Sequence, residues 1–320
     1  MFLCEEERNN SSLCKELKRE IITCHKLYGT SPSEYFLYGF RTEKSNNYRD
    51  SFLSDEIKNK VMIELVGADA FYNELSDKLN FYNLTSKYFK RGVFLLRNIN
   101  VEDQYDEFQY FAKKHRELFV KKNQSSQGKG VKLCRIEKES DVKSLFEKLI
   151  KDGGDWIIEE KIIQASEMAQ WNDSSVNTIR LPAILHNGKW TPLGPFLRTG
   201  RKGSVIDNAG AGGVFAVIDP KTGVITSDGI DEAGKYYKQH PDSGLIFKGW
   251  QVPHWNELLA LAEEVQRSIP KHKYVGWDFA LADKGWILIE GNWGQFVSQY
   301  NDHIGLKHQF LELLDYQGKI

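Results

Sequence analysis

One segment near the end of the chain strongly limits what this sequence can fold into. Residues 275–292 read VGWDFALADKGWILIEGN, two apolar runs that alternate with small or polar residues and are separated by Asp283-Lys284-Gly285. Alternating runs joined by a short turn that contains glycine are typical of a β-hairpin. A three-residue loop with its glycine in the left-handed region pairs Ala282 with Trp286. The segment therefore predicts an antiparallel hairpin of defined register.

Two carboxylates face each other across this hairpin. The register sets Asp278 opposite Glu290, and Asn292 lies two residues further on, on the same face, because side chains alternate along a strand. The other face is predicted to pack through Val275, Trp277, Phe279, Ile287 and Ile289. Opposed carboxylates repel unless cations lie between them, and Mg²⁺ is held by carboxylates together with phosphates and water. A magnesium site is the prediction; the alternatives are solvated acids at a sheet edge or a different register.

The overall composition excludes several classes of function. The chain has 320 residues, with 43 Lys and Arg against 44 Asp and Glu, a formal net charge of −1 and a sequence pI of about 6.7. Proteins that bind nucleic acid or an anionic membrane usually carry a basic excess that neutralises phosphates, so we expect neither partner. The length predicts roughly two domains of ~150 residues each.

Two further features bear on the compartment. No apolar stretch approaches the ~18 residues of a membrane span, and the N-terminal sequence MFLCEEERNNSS lacks the basic start and apolar centre of a signal peptide. The cysteines, Cys4, Cys14, Cys24 and Cys134, form no CxxC pair and are expected to be free thiols. We therefore expect a cytoplasmic protein without a membrane span.

Periodicity predicts helices in the first part of the chain and mainly hairpins in the last part. The predicted helices cover about residues 12–65, 77–89, 141–150 and 254–268, and the predicted strands cover 92–96, 118–121, 131–136 and 156–163. Asn187-Gly188 is a strong signal for a two-residue hairpin turn. If that hairpin continues without irregularity, Arg180 and Arg198 point to opposite faces; Pro192 and Pro195 leave this register open.

A second segment offers groups that bind phosphate. A strand that ends at Lys121 is followed by a Ser- and Gly-rich turn, whose backbone amides at Ser126, Gly128 and Gly130 are unhindered. An ammonium group beside several such amides suits a polyphosphate. The segment is not a Walker A loop, because no Ser or Thr follows the Gly-Lys pair, and no G-x-G-x-x-G follows a strand. The alternative is a simple hairpin turn without a ligand.

A third feature is a set of arginines beside a glycine-rich segment. Arg180, Arg198 and Arg201 precede residues 204–213, which read SVIDNAGAGG. Arginines that fork onto phosphate or carboxylate oxygens stabilise the charge that develops in phosphoryl transfer, and a glycine-rich segment can close over a site. The alternative is ordinary surface arginines beside a loop.

Taken in order, these segments resemble the ATP-grasp superfamily. The motifs that carry the resemblance are Asp77-Lys78, Phe119-Val120-Lys121, residues 156–162, residues 177–180, Arg201 with Asp207-Asn208 and Gly212-Gly213, and Asp278 with Glu290-Gly291-Asn292. Within them, Gln164, residues 175–180, residues 198–201, His240-Pro241 and residues 276–278 are most similar to the sugar-transfer-associated members, which are linked to cell-surface polysaccharide gene clusters. The resemblance covers roughly residues 75–295.

The resemblance implies an α+β architecture. In the ATP-grasp fold, two α+β subdomains with antiparallel sheets clasp ATP, and here a helical N-terminal region precedes them. We expect this N-terminal region at residues 1–85, the small ATP-grasp subdomain that covers the nucleotide at 86–162, and the large subdomain with the magnesium site at 163–320.

The resemblance also implies roles for individual residues. The nucleotide contacts would be Lys78 and Lys121 for the ATP phosphates, the backbone of Glu159, Glu160, Lys161 and Ile162 for adenine, Gln164 or Glu167 for the ribose, and Asn208. The magnesium ligands would be Asp278, Glu290 and Asn292, with Glu290 bridging two ions. Arg180, Arg198 and Arg201 would serve the transferred phosphoryl group and the acceptor carboxylate.

The chemistry implied is ATP-dependent carboxylate-amine ligation. A carboxylate attacks the γ-phosphoryl group, an amine takes the acyl phosphate, and ADP and phosphate leave. The expected partners are small molecules that can be sugar-linked: a carboxylate such as a uronic acid of a surface glycan, and an amine such as an amino acid. Two alternatives stay open, a small-molecule kinase that uses the same magnesium site without an amine site, and a nucleotide-binding regulator that no longer turns over.

Overall fold

The computed structural model of the chain describes residues 2–68, 75–123, 131–204, 212–294 and 296–318. Four residues that the sequence predicts to contact nucleotide, Ser126, Gly128, Gly130 and Asn208, lie outside the described residues. The four cysteines are free thiols, as expected.

Helices dominate the N-terminal part of the chain and flank the strands elsewhere. The α-helices are α1 (Glu5–Asn9), α2 (Ser11–Tyr28), α3 (Pro32–Leu37), α4 (Asn46–Asp50), α5 (Asp55–Val66), α6 (Lys78–Thr85), α7 (Tyr105–His115), α8 (Glu139–Asp152), α9 (Ser166–Ala169), α10 (Trp255–Ser268), α11 (Ser298–Asp302) and α12 (Lys307–Leu313). Short 3-10 helices cover Ser86–Tyr88 and Val101–Gln104. Among the helices in the described part of the chain, none combines the length and apolar character that crossing a bilayer requires.

The strands form two sheets, in which each pair of neighbouring strands is antiparallel. They are β1 (Val93–Leu96), β2 (Glu117–Lys122), β3 (Lys132–Arg135), β4 (Trp156–Glu160), β5 (Thr178–His186), β6 (Lys189–Pro192), β7 (Phe196–Thr199), β8 (Val214–Val217), β9 (Gly229–Ile230), β10 (Tyr236–Tyr237), β11 (Tyr274–Ala282) and β12 (Gly285–Asn292). The small sheet has the order β1-β4-β2-β3, and the large sheet has the order β10-β9-β8-β7-β5-β11-β12, with β6 paired to β5.

Local capping signals set where the helices begin and end. The side chain of Asn10 accepts a hydrogen bond from Leu13 N at 3.0 Å and so caps α2, which ends at Gly29 with a φ of +64°. Asp77 caps α6 by accepting from Asn80 N at 2.8 Å. This cap places Lys78 in the first turn of α6.

The small sheet packs one face against α7 and α8. Its core contains Phe108, Val120, Phe146 and Ile158. Residue burial alternates along β2, so Lys121 lies on the face opposite Val120. The small sheet therefore presents Lys121 away from its own core.

The hairpin β11–β12 has the predicted pairing of acids but a different turn. Asp278 is opposite Glu290, as predicted, whereas Ala282 pairs with Gly285 and not with Trp286. A register shift between Asp278 and Phe279 makes up the difference of one residue.

The shorter turn also changes which residues of β12 pack. Trp286 and Leu288, and not Ile287 and Ile289 as predicted, join Trp277 in the large core that α10 covers. The prediction for β12 was wrong because the turn contains two residues instead of three, which shifts the pairing of β12 by one position between the turn and the bulge.

A second irregularity brings two arginines onto one face. The hairpin at Asn187-Gly188 forms as predicted, with His186 paired to Lys189. After β6, however, the register shifts by one residue, and Thr178 pairs with Arg198 while Arg180 pairs with Phe196. Arg180 and Arg198 therefore share a face, contrary to the prediction from an unbroken hairpin.

The N-terminal helices pack against the large sheet. One aromatic cluster joins Tyr38, Phe40 and Phe52 to Phe196 of β7 and Phe215 of β8. Because Phe196 pairs with Arg180 and Phe215 with Arg198, the helices cover the same face of the sheet that carries the arginines. The division of the chain at residues 85 and 162 stays a prediction.

We expect Phe40→Ala to lower the free energy of unfolding by about 3–5 kcal/mol, because it empties a buried aromatic site. Phe40 is fully buried among the rings of Tyr28, Tyr38 and Phe52. Urea denaturation provides the measurement, and Leu27→Ala in α2, where the side chain is 65% exposed, is the control. Equal effects of the two substitutions would contradict this role for the aromatic cluster.

Candidate functional site

A buried ion pair lies between the central strands of the large sheet. Arg180 on β5 is the cross-strand partner of Asp278 on β11. Its Nε donates to Asp278 Oδ1, and its Nη2 donates to Asp278 Oδ2 at 2.8 Å. Arg198 Nη2 lies 3.2 Å from the same Oδ2. Asp278 is fully buried, so two guanidinium groups neutralise a carboxylate that water does not reach.

Glu290 and Asn292 lie beside this pair on β12. The Asn292 Oδ1 accepts from Arg180 Nη1 at 3.0 Å and from Gly294 N at 2.8 Å, and its Nδ2 donates to Glu290 Oε1 at 3.5 Å. The structure thus brings together five of the residues that the sequence predicts for the site: Arg180, Arg198, Asp278, Glu290 and Asn292.

The two carboxyl groups have opposite pKa shifts. Burial acts against ionisation of Asp278, but the charges of Arg180 and Arg198 outweigh it and hold its pKa below the usual range. Burial and the negative charge of Asp278 raise the pKa of Glu290, while Arg180 and Lys121 act in the opposite direction. Asp278 is therefore the ionised member of the pair, and Glu290 is the one that holds a proton more readily.

The cluster offers oxygen donors, which are the type of ligand that Mg²⁺ prefers. Glu290 and Asn292 offer oxygen atoms and are only partly buried. Both oxygens of Asp278 accept from arginines, and the described ranges contain no group of three or more His, Cys, Asp or Glu side chains arranged to hold a metal. Glu290 is thus the more accessible donor, because Asn292 Oδ1 also accepts from Arg180 and from Gly294 N; Asn292 and Asp278 as further ligands stay predictions.

Lys121 and Glu159 form a second buried charge cluster, on the small sheet. Lys121 Nζ donates to Glu159 Oε1 at 2.9 Å, and Arg91 Nη2 donates to Glu159 Oε2 at 2.6 Å. Arg91 Nη1 also donates to the carbonyl of Leu288 on β12 at 2.6 Å, which ties the small sheet to the large one. Sequence reasoning missed Arg91, because a lone arginine before a strand belongs to no motif.

Lys78 is the second predicted phosphate contact. Its Nζ donates to the carbonyl of Asn123 at 3.1 Å, at the end of the segment predicted to bind phosphate. Burial lowers the pKa of Lys78 and the charge of Lys121 adds to this, whereas the charge of Glu290 opposes it. The charges of Lys121 and Glu290 therefore both act on the ammonium group of Lys78.

The predicted hinge strand uses its first amides within the sheet. The backbone N of Glu160 donates to Gly92 O at 2.9 Å, and that of Lys161 donates to Glu117 O at 3.0 Å. The side chain of Lys161 also pairs with Glu117, at 3.0 Å. Ile162 is half-buried. Contacts of this strand with adenine stay a prediction.

Of the two residues predicted for the ribose, Gln164 is hydrogen-bonded within the protein and Glu167 is exposed to solvent. The Gln164 amide donates to the carbonyls of Asn172 and Ser175 at 2.8 and 2.9 Å and accepts from Asn177 N at 3.1 Å, so it fastens the loop before β5. Glu167 is exposed on α9. The ribose contact stays a prediction.

Arg201 pairs with a different carboxylate from the one that Arg180 and Arg198 share. Its Nε and Nη2 donate to the two oxygens of Asp242 at 2.7 and 3.0 Å, and this carboxylate also accepts from Lys202 N. His240, which is fully buried, holds the carbonyl of Gly200 at 3.0 Å. The segment that carries Arg201 is thus held by residues 240–242.

Lys121 lies on the small sheet, whereas Asp278, Glu290 and the arginines at positions 180 and 198 lie on the large one. A family model described as sugar-transfer associated ATP-grasp matches residues 58–312. Because this match covers most of the sequence, the chain belongs to the sugar-transfer associated ATP-grasp family. No curated protein matches the chain.

Similar solved structures are distant in sequence. They include D-alanyl-alanine synthetase A from Vibrio cholerae (14% identity, 78% of this chain and 64% of that chain, TM-score 0.43) and the D-alanine–D-alanine ligase from Bacillus anthracis (14% identity, 76% and 66%, TM-score 0.42). N5-carboxyaminoimidazole synthetase from Staphylococcus aureus, complexed with ADP, has 11% identity over 69% of this chain and 45% of that chain, with a TM-score of 0.41. The aligned region spans less than two thirds of each of these proteins.

We expect Glu159 to make part of the stability depend on pH. Burial acts against its ionisation, but Arg91 and Lys121 outweigh this and lower its pKa from 4.5 to about 2. A lowered pKa stabilises the folded state above pH ~4.5, and this stabilisation, about 3 kcal/mol, is lost as the pH falls towards 2. Urea denaturation at a series of pH values measures the dependence.

The matched variants are Glu159→Gln, which removes the titrating group, and Glu102→Gln, which removes an exposed carboxylate. The first should flatten the acid limb of the stability curve, and the second should leave it as in the parent. Superimposable acid limbs for the parent and Glu159→Gln would rule out the buried ion cluster as its source.

Proposed function

We propose that the protein is an ATP-dependent carboxylate-amine ligase that forms an amide through an acyl phosphate. The proposal rests on membership of the family and on one observation: the ion cluster of the small sheet is attached to β12, the strand that carries Glu290 and Asn292. Lys121 and Arg91 both donate to Glu159, and Arg91 also donates to the Leu288 carbonyl on β12. An ammonium group on the small sheet, joined in this way to a strand with carboxyl and amide oxygens, suits a magnesium polyphosphate.

The proposed reaction has two steps. A carboxylate oxygen of the first substrate forms a bond to the γ-phosphorus of ATP, and the bond to the β-γ bridging oxygen breaks, so ADP leaves. The amine nitrogen of the second substrate then attacks the acyl carbon, phosphate leaves, and the nitrogen loses a proton to solvent. Arg180 and Arg198 supply positive charge where the transferred phosphoryl group passes.

Glu290 and Asn292 would hold magnesium, with Asp278 as a further ligand. When bound, magnesium neutralises charge on the phosphates and orients them. Asp278 then has a second role, because it fixes both arginines next to the ligands.

We assign the substrates to sugar chemistry on the description of the family, sugar-transfer associated ATP-grasp. The carboxylate would belong to a uronic acid or another acid of a surface polysaccharide or its precursor, and the amine to an amino acid or similar compound. A thermal-shift screen with MgATP plus uronic acids, nucleotide sugars and amino acids tests this assignment, since a ligand that binds the native state raises its melting temperature.

Trapping with hydroxylamine tests the reaction itself. Hydroxamate that forms only when ATP and a carboxylate are both present supports the ligase. A stable phosphorylated product without hydroxamate favours a small-molecule kinase, which would share the magnesium site. Binding of MgATP without any turnover across the substrate panel favours a nucleotide-binding regulator.

We expect Glu290→Gln to lower kcat by roughly 100-fold or more, because it removes a negative oxygen donor where the phosphoryl group is transferred. The amide keeps the size of the side chain, so the circular dichroism spectrum should match that of the parent. Glu312→Gln, at an exposed position of α12, is the control and should retain parental kcat. Parental kcat in Glu290→Gln would refute the assignment of Glu290 as a magnesium ligand.

A further inference from the structure

Lys58 is a buried charge that packing does not require. It lies on α5 and is only 1% exposed, within a core that includes Val61, Met62 and Phe310. Its Nζ donates to Asp55 Oδ1 at 2.5 Å, but the Asp55 side chain is 34% exposed and is thus within reach of water. Buried ion pairs contribute little net stability, since replacing them with apolar groups is often neutral. The charge of Lys58 therefore calls for a reason other than stability.

The remaining hydrogen bonds of Lys58 are made to the end of β12. Its Nζ donates to the carbonyl of Trp293 at 2.6 Å and to the carbonyl of Gly294 at 3.1 Å. The hydroxyl of Tyr274 donates to the same Gly294 carbonyl at 2.7 Å. These two carbonyls directly follow Asn292, so an N-terminal helix fixes the backbone that leaves the proposed magnesium site.

That backbone in turn fixes the Asn292 side chain. Gly294 N donates to Asn292 Oδ1 at 2.8 Å, and Arg180 Nη1 donates to the same oxygen at 3.0 Å. A Cβ atom at Gly294 would collide with Arg180 Nη1 and Asn292 Oδ1, so the backbone is in direct contact with both groups. A displacement of residues 293–294 therefore displaces the amide that the proposed function assigns to magnesium.

We propose that Lys58 is a positioning residue of the magnesium site, acting through the Trp293 and Gly294 carbonyls on the Asn292 amide. The inference rests on the proposed function only in taking Asn292 as a ligand. It gives the N-terminal helices a part in the site: they hold the end of β12 in the conformation that presents Asn292. Residues that orient a metal ligand without touching the metal commonly change metal affinity by about 10–100-fold when they are replaced.

The test compares Lys58→Met with the parent by calorimetric titration with MgADP. The substitution removes the ammonium group and keeps an apolar chain of similar length. We expect the dissociation constant for MgADP to rise about tenfold or more, and the melting temperature to fall as well, because the carbonyls of Trp293 and Gly294 lose a buried donor. The control is Val61→Ala on the same helix, which loses buried contacts but leaves the carbonyl contacts intact; it should lower the melting temperature and keep parental affinity.

Hydrogen exchange without nucleotide or metal provides a second readout. Peptides that contain Gly294 should exchange faster in Lys58→Met than in the parent, relative to peptides from β11. If Lys58→Met does not fold, Tyr274→Phe takes its place, since it removes the other donor to the Gly294 carbonyl and should produce smaller changes in the same direction.

The outcomes separate this inference from the proposed function. A parent protein that does not bind MgADP contradicts the proposed function. Exchange at Gly294 then tests only whether Lys58 positions the end of β12. Faster exchange in Lys58→Met together with weaker MgADP binding supports positioning. Parental exchange and parental affinity in Lys58→Met overturn it, as does an equal loss of affinity in Val61→Ala, which would indicate a general effect of reduced stability.

Discussion

The buried pair of Arg180 and Asp278 is the interaction on which the rest of the structure depends. Two charges placed without water in the centre of a sheet are tolerated only if every donor and acceptor is satisfied. Here Arg180 and Asp278 are cross-strand partners on β5 and β11, Arg198 contacts the same carboxylate, and Arg180 Nη1 donates to Asn292. As a result the two carboxyl groups differ in pKa: the arginines keep Asp278 ionised, whereas burial and the charge of Asp278 make Glu290 easier to protonate.

Much of the fold was predictable because apolar periodicity and turn residues act locally. The helices before residue 66, the strands of the small sheet and the hairpin at Asn187-Gly188 follow such signals, and all of them are present. The irregularities were not predictable. No local residue pattern marks the bulge beside Asp278 or the shift after β6. In the β11–β12 hairpin, a turn one residue shorter than inferred and the bulge offset each other, so Asp278 still lies opposite Glu290.

The candidate site was predictable in residue type and less so in contacts. A carboxylate pair, an amide and forked arginines are recognisable because their chemistry is specific, and the structure places Arg180, Asp278, Glu290 and Asn292 together. Arg91 and Lys58 could not be found in this way. Both act on backbone carbonyls roughly 200 or more residues away, and a carbonyl is the same at every position of a sequence.

That choice of acceptor has an evolutionary consequence. Arg91 joins the small sheet to β12 through the main chain of Leu288, and Lys58 joins the N-terminal helices to the end of β12 through the main chain of residues 293 and 294. The hydrogen bonds to Leu288 and Trp293 use only the main chain of the acceptor residue, whereas position 294 also requires glycine, because a Cβ there would collide with Arg180. Substitutions at positions 288 and 293 should therefore leave these two attachments in place, as long as Arg91 and Lys58 are retained.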